Sequence, residues 1–249
     1  MILSPIVRVL SAFRRYRVRA LLIGGQAAIL YGGAEFSRDV DFIVLVSSDN
    51  LRRLRSALRA LDARRVFYPK LGIQPLLKGH ACHFRCRGGV VDQLRVDVLG
   101  TLRGVASFEQ LWQRRRQIAV PGAGELAVLS LPDLIIAKKT QRDKDWAMIR
   151  RLVEADMAAH AGTRSRRRLA FWMLECRTPA LLAELARRRP SLARDLSCQR
   201  PLLAHARRGP FGMVEKLLRA EETAHREEDR RYWAPLREEL QALRAARRR

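Results

Sequence analysis

The sequence is poor in acidic residues, in lysine and in cysteine, and it holds no long apolar run. The last of these shortages excludes a membrane span. The best candidate, residues 20–31, falls short of the roughly 20 apolar residues a bilayer requires and is broken by Gly24-Gly25. A secretory leader is not expected, because the basic cluster Arg14, Arg15, Arg17 and Arg19 follows the first apolar residues instead of preceding them. The four cysteines, Cys82, Cys86, Cys176 and Cys198, lack the spacing of a disulfide framework, which fits a reducing cytoplasm. One segment, His80-Ala81-Cys82-His83-Phe84-Arg85-Cys86, has the composition of a zinc site. On a strand, however, His80, Cys82, Phe84 and Cys86 share one face while His83 joins Arg85 and Arg87 on the other. Four ligands then do not converge, and Cys82, Phe84 and Cys86 are expected to be core.

With 25 acidic residues against 49 basic ones, the formal net charge is +24, and both halves of the chain share it. Such a surplus favours an anionic partner, nucleic acid above all. Only six of the basic residues are lysine. Arginine in its place is also what a GC-biased genome writes on any surface, so the charge speaks to binding and solubility and not to fold. At 48% hydrophobic residues over 249 positions, the chain can bury a core as one α/β domain with a smaller appendage.

What is present is concentrated near the N-terminus. Residues 20–23 read as a short strand, and Gly24-Gly25 opens a segment, 26–31, that suits one or two helical turns. A strand, a glycine pair and a helix let backbone approach a phosphate closely with free N–H groups aimed at it. Thirteen residues past the glycines, Asp39-Val40-Asp41 enters the run Phe42-Ile43-Val44-Leu45-Val46, which is rich enough in β-branched and aromatic residues to be a buried strand. Side chains repeat every two residues along a strand, so both carboxylates project from one face. Paired carboxylates in apolar surroundings call for a cation, and magnesium takes its ligands from a few carboxylates plus substrate phosphates. Further on, 81–87 and 91–99 read as strands joined at Gly88-Gly89. That hairpin puts Asp97, in Leu94-Arg95-Val96-Asp97-Val98-Leu99, on a strand able to lie beside Asp39 and Asp41, and leaves Asp92 at the solvated turn.

These motifs resemble the signature of the polymerase-β-like nucleotidyltransferase superfamily: hydrophobic-Gly-Gly, about ten residues, Asp-hydrophobic-Asp, then a third carboxylate between hydrophobic neighbours on a later strand. Ser130-Leu131-Pro132-Asp133 has the form of a capping box, and Lys138-Lys139 and Arg142-Asp143-Lys144-Asp145 follow it. This stretch is similar to the lysine helix of the AbiEii-like, toxin-type bacterial group. The resemblance covers residues 20 to about 155. It departs at Glu35 and Ser37, where the group carries arginine and threonine; serine replaces threonine chemically, but glutamate does not supply the loop's phosphate contact.

The resemblance implies a mixed sheet flanked by helices and transfer of a nucleoside monophosphate from an NTP to an acceptor hydroxyl. It assigns two magnesium ions to Asp39, Asp41 and Asp97, and phosphate contacts to Gly24, Gly25, Ser37 and either Lys138 or Lys139. The acceptor it implies is RNA, particularly tRNA ends, with an antitoxin-like protein as a further partner. A protein hydroxyl, a small aminoglycoside-like acceptor, and a non-catalytic RNA-binding protein of the same fold stay open. Away from the resemblance, a helix is expected over 48–65 with Leu51, Leu54, Leu58 and Leu61 inward, and short edge strands at 117–120 and 125–129. A boundary is expected after residue 160, followed by a helical, arginine-rich domain over 161–249 with helices at 169–176, 179–188, 212–225 and 235–246. Its core candidates are Phe171, Trp172, Leu181, Leu185, Leu217 and Trp233. Arg187-Arg188-Arg189 and Arg247-Arg248-Arg249 read either as a phosphate grip or as solvated helix ends.

Overall fold

In the computed structural model, which describes residues 4–246, contacts divide the chain into two compact units. The first comprises Met1–Leu30, Ala34–Ala137 and Arg231–Arg249; the second comprises Tyr31–Gly33 and Lys138–Arg230. The break thus falls at Lys138, ahead of residue 161. The reason is local: helix α7 (Asp143–Ala159) shares its ion pairs and hydrogen bonds with the helices that follow it, as in Arg168 and Trp172 of α8 (Arg166–Glu175) donating to Asp156. Arg247-Arg248-Arg249 lie outside the described residues.

The first unit is a seven-stranded mixed sheet with helices on it. Its strands are β1 (Ala20–Ile23), β2 (Asp39–Val44), β3 (Arg64–Arg65), β4 (Cys82–Arg85), β5 (Arg95–Leu99), β6 (Arg116–Val120) and β7 (Gly124–Val128), in the order β3-β4-β5-β2-β1-β7-β6. β2 runs antiparallel to β1 and parallel to β5, while β4 and β5 form the expected antiparallel pair around the Gly88-Gly89 turn. β7 is interior, because it lies parallel to β1, and only β6 of that hairpin forms an edge. Partner choice of this kind is not written in a strand's own sequence.

One sheet face is apolar. Val40, Phe42, Cys82, Phe84, Val96 and Val98 alternate onto it, all buried. Helix α1 (Ser4–Arg15) covers part of it through Ile6, Val9, Leu10 and Phe13, and Phe13 stacks on Phe42 with ring centroids 4.2 Å apart. Helix α3 (Ser48–Ala60) buries Leu51, Leu54 and Leu58 at helical spacing, with Leu61 just beyond it. It stops at Ala60, short of residue 65, and the chain turns through Asp62 at φ 42° into β3. Buried Asn50 on α3 clasps the sheet backbone: it accepts from Arg19 N at 2.7 Å and donates to Arg19 O and Leu45 O at 3.0 and 2.9 Å. As expected, Cys82 and Cys86 are core; burial pushes both thiols up to about 11, which keeps them protonated. Helices α2 (Gly24–Leu30), α4 (Ile73–Leu77), α5 (Phe108–Gln113) and α6 (Leu131–Lys138) complete the helical part of this region.

The second unit is helical: α7, α8, α9 (Pro179–Arg188), α10 (Pro190–Leu196), α11 (Leu202–Arg208) and α12 (Phe211–Ala246) up to Arg230. α10 and α11 are additions to the sequence reading. Pro235, read as a helix start, lies inside α12. Trp172 and Leu185 are core as expected, whereas Phe171, Leu181 and Leu217 are half-buried and the deep positions are Leu182, Val214 and Leu218; Trp233, also half-buried, falls in the part of α12 that belongs to the first unit. Buried Arg200 ties the unit together by donating to Met173 O, Cys176 O and the Glu221 carboxylate.

Candidate functional site

The polar face of the sheet gathers the chemistry. Residues opposed in neighbouring strands share a face, and the registers build two adjacent rows. One runs His83, Asp97, Asp41, Ile23 across β4, β5, β2 and β1; the other runs Arg64, Arg85, Arg95, Asp39 across β3, β4, β5 and β2. Asp41 and Asp97 are therefore direct neighbours on parallel strands, about 4.8 Å apart in backbone spacing, with Asp39 two residues along on the same face. The strand placement expected for Asp97 holds. Asp92 sits at the hairpin turn, accepting from Gly88 N at 3.0 Å.

Asp97 is not an open ligand. His83 Nδ1 lies 2.8 Å from its Oδ1, Arg95 Nε donates to the same oxygen at 2.8 Å, and Arg95 Nη2 pairs with Oδ2 at 2.8 Å. Burial disfavours the Asp97 charge, but the hydrogen bonds from His83 and Arg95 outweigh it and hold the carboxyl below its usual range. Arg95 is in turn held protonated, first by its hydrogen bond to Asp97 and further by the fields of Asp39 and Asp41. The arginine thus does the neutralising that three crowded carboxylates require. Both partners escaped the sequence reading. Arg95 was within reach, since it stands two residues before Asp97 on the same strand face; His83 was not, since only the β4–β5 register reveals it.

The glycines serve this row directly. Gly24 has φ +68°, and a Cβ there would stand 1.9 Å from Asp41 Oδ2; a Cβ on Gly25 would stand 2.4 Å from Ser37 Oγ. Their bareness makes room for two of the predicted site side chains. Ser37 Oγ donates to Asp39 O at 3.2 Å. Gln26, fully buried behind the glycines, donates through Nε2 to Ser37 O at 2.9 Å, and its Oε1 has no hydrogen-bond partner among the described residues. Glu35 and Phe36 stand exposed in the loop ahead of Ser37. A cavity of about 380 Å³ lined by Phe13, Arg17, Arg19, Phe42 and Trp112 involves none of these site residues.

Lys138 and Lys139 belong to the second unit, where each meets a carboxylate. Lys138 is buried and donates to Asp145 Oδ1 at 3.0 Å; Lys139 pairs with Glu175 at 2.8 Å. Asp145, fully buried, also accepts from Thr140 at 2.6 Å and from Arg142 at 2.7 Å. Burial opposes its charge, yet Lys138, Thr140 and Arg142 together hold its pKa down. Within Arg142-Asp143-Lys144-Asp145, Asp145 thus clasps Lys138 and is itself braced by Arg142. Arg187 donates to Ala183 O and Arg188 pairs with Glu184, ordinary helix-end contacts.

For a metal, the donor chemistry fits a hard divalent cation at Asp39 and Asp41, both oxygen ligands on one face. Asp97 is withheld by Arg95 and His83, and among the described residues no group of three or more His, Cys, Asp or Glu side chains is arranged to hold a metal ion. Among the described residues no helix is long and apolar enough to cross a membrane.

No protein-family model matches the sequence, and no curated protein matches it. Seven solved chains match in structure. Among them, the antibiotic-resistance factor ANT(2'')-Ia in a solution structure is 14% identical at a TM-score of 0.38, covering 81% of this chain and 94% of that one. A crystal structure of ANT(2'')-Ia in complex with adenylyl-2''-tobramycin is 11% identical at a TM-score of 0.37, covering 87% of this chain and 95% of that one. With TM-scores below 0.5, neither likeness bears on what this chain does.

Proposed function

We propose that this chain is a nucleotidyltransferase that moves a nucleoside monophosphate from an NTP to an acceptor hydroxyl, releasing pyrophosphate. The observation that supports it is the registration of Asp41 beside Asp97, with Asp39 on the same face and Gly24 bare against Asp41. In the reaction a bond forms between the acceptor oxygen and the α-phosphorus, and the bond from that phosphorus to the bridging oxygen breaks. Bound magnesium, held by Asp39 and Asp41, would supply Lewis-acid polarisation of the α-phosphate and leaving group. Asp97, ionised and fixed by Arg95 and His83, orients the acceptor hydroxyl by accepting its hydrogen bond; a carboxylate with a depressed pKa is a poor store for the departing proton, which passes to solvent. Arg95 offers its guanidinium to charge that builds on the transferring phosphoryl group. RNA is the acceptor we favour, on the strength of the +24 charge.

A second reading, an RNA-binding protein of this fold without activity, draws support from the engagement of Asp97 by Arg95 and His83. Thermal unfolding with magnesium, with NTP and with both separates the two. A nucleotidyltransferase gains stability from the pair well beyond either alone, by mass action on the folded state, and Asp41→Asn loses that synergy while folding normally. Incubation with α-labelled NTP and either total RNA, a protein substrate or an aminoglycoside then reads the acceptor. Synergy undiminished in Asp41→Asn, or no label in any acceptor, removes the transferase reading.

A further inference from the structure

Beyond the carboxylates, the second row of the polar face is a ladder of like charge. Arg64 on edge strand β3 opposes Arg85 on β4, Arg85 opposes Arg95 on β5, and Arg95 opposes Asp39 on β2. Like charges directly opposite in a sheet destabilise it, so three stacked arginines are a cost that folding alone does not explain. Their partners are small for the charge carried: Arg64 meets Asp62 at 2.8 Å and Arg85 the neutral Gln93 at 3.3 Å, and only Arg95 has a buried carboxylate. Each guanidinium has five donors. Arg87, two residues past Arg85, also stands exposed, whereas Arg65 is registered opposite Phe84 on the other face. Phe67, just after β3 and 45% exposed, lies edge-on to His83 with ring centroids 5.7 Å apart, which places a bare aromatic at the rim of the carboxylate row.

We propose that Arg64 and Arg85, in the row that leads to Arg95, form a track for the phosphodiester backbone of a single-stranded RNA, which delivers the acceptor hydroxyl to Asp97 beside Asp39 and Asp41 while a base stacks on Phe67. The proposal rests on the transferase reading for the meaning of its inner end, and on charge complementarity for its occupant. From β3 to β5 the ladder crosses about 10 Å of sheet, the rise of roughly three stacked nucleotides. A cationic groove that follows the backbone, joined to an aromatic platform, is how single strands are held without base-specific contacts. The row ends at a carboxylate, so the strand cannot continue past β2 without meeting like charge; the track has an end, and the end is at the proposed chemistry. An acidic peptide would use the cations but has no base for Phe67.

The test is binding of a labelled single-stranded RNA to the full chain by fluorescence anisotropy, without NTP or magnesium, from about 50 to 200 mM salt. In a log–log plot of affinity against salt, Arg64→Ala/Arg85→Ala is expected to flatten the slope by about 1.4, since each lost phosphate contact on a single strand removes roughly 0.7. Arg64→Lys/Arg85→Lys keeps the slope. Phe67→Ala weakens binding about tenfold at every salt concentration and leaves the slope unchanged, because stacking releases no counterions. Arg187→Ala/Arg188→Ala/Arg189→Ala, removing more charge from elsewhere, should flatten it far less. Equal flattening by that triple variant, an unchanged slope in Arg64→Ala/Arg85→Ala, or tighter binding of a polyglutamate peptide than of RNA overturns the track. Magnesium–NTP stabilisation measured on the same variants keeps the two ideas apart: if the parent shows no such synergy and the ladder variants still lose RNA, the transferase reading falls and the track stands.

Discussion

Removing Asp145 should be among the most damaging single changes in the second unit. The carboxylate is fully buried and accepts from the buried Lys138 ammonium, besides accepting from Thr140 and Arg142. Asp145→Ala leaves that ammonium in a site built for a salt pair, and stranding one partner of a buried pair costs about 3–5 kcal/mol. Asp145→Asn keeps the shape and Thr140's acceptor but not the charge, for which about 2–3 kcal/mol is expected. Exchanging both members, Lys138→Met with Asp145→Leu, should recover much of the loss, because an apolar pair of similar volume carries no desolvation penalty. Urea denaturation at neutral pH, followed by circular dichroism, reads all three. The pH dependence has a fixed sign: with a folded pKa below its unfolded value of about 3.9, Asp145 contributes stability above that value, and the contribution is lost as pH falls through it toward the folded pKa. The difference between parent and Asp145→Asn should therefore be flat at neutral pH and shrink in acid. A cost below about 1 kcal/mol for Asp145→Ala, or a double variant worse than either single one, would refute the assignment of Lys138 to Asp145 and return the lysine to a role as an unpaired phosphate contact.

The remaining predictions concern the sheet. Gly24→Ala drives a Cβ into the Asp41 carboxylate in a backbone conformation alanine resists; a loss of about 1–3 kcal/mol is expected in denaturation, together with loss of magnesium–NTP synergy, and adding Asp41→Ala should relieve the clash but leave the backbone strain, recovering part of the stability and none of the synergy. Asn50→Ala orphans Arg19 N, while Arg19 O and Leu45 O keep their bonds from Leu45 N and Ser47 N; with about 1–3 kcal/mol for a buried donor left unsatisfied, a lowered melting temperature is expected in thermal denaturation. Arg95→Ala leaves Asp97 beside Asp41 and Asp39 with His83 still hydrogen-bonded to it, so the protein should become markedly more stabilised by magnesium alone than the parent; an unchanged response in calorimetric titration counts against Arg95 as the neutralising group.

The strand positions of Asp39, Asp41 and Asp97 were legible because period-two alternation is a local property, and so was the apolar face carrying Cys82, Phe84 and Cys86. What joins Asp97 to His83, or Arg64 to Arg85 and Arg95, is register between segments far apart in sequence, and no single segment encodes it. The interior place of β7 was missed for the same reason. Pro235 misled through a sound rule: proline prefers the first helical turn, yet α12 carries it inside and continues to Ala246. Lys138 and Asp145 were each noticed, but seven residues across a helix break gave no sign that they met. The departure at Glu35 is compatible with the site's geometry, since the residue stands exposed and the loop is held instead by Gln26 and Ser37.

Residues 231–246 of α12 return to the sheet unit after all of residues 138–230 have been spent elsewhere. There Glu239 pairs with Lys78 at 2.7 Å and comes within 3.2 Å of Nε2 of buried His80, and Tyr232 and Leu236 crowd Gly79. On the ribosome, then, the sheet emerges first but stays unfinished: a nascent chain can pair its seven strands long before the segment that meets Gly79 and His80 exists. The unit that carries the carboxylates matures last although most of it is made first, and a chain cut anywhere between residues 128 and 231 holds the carboxylate row without the helix that closes its own fold.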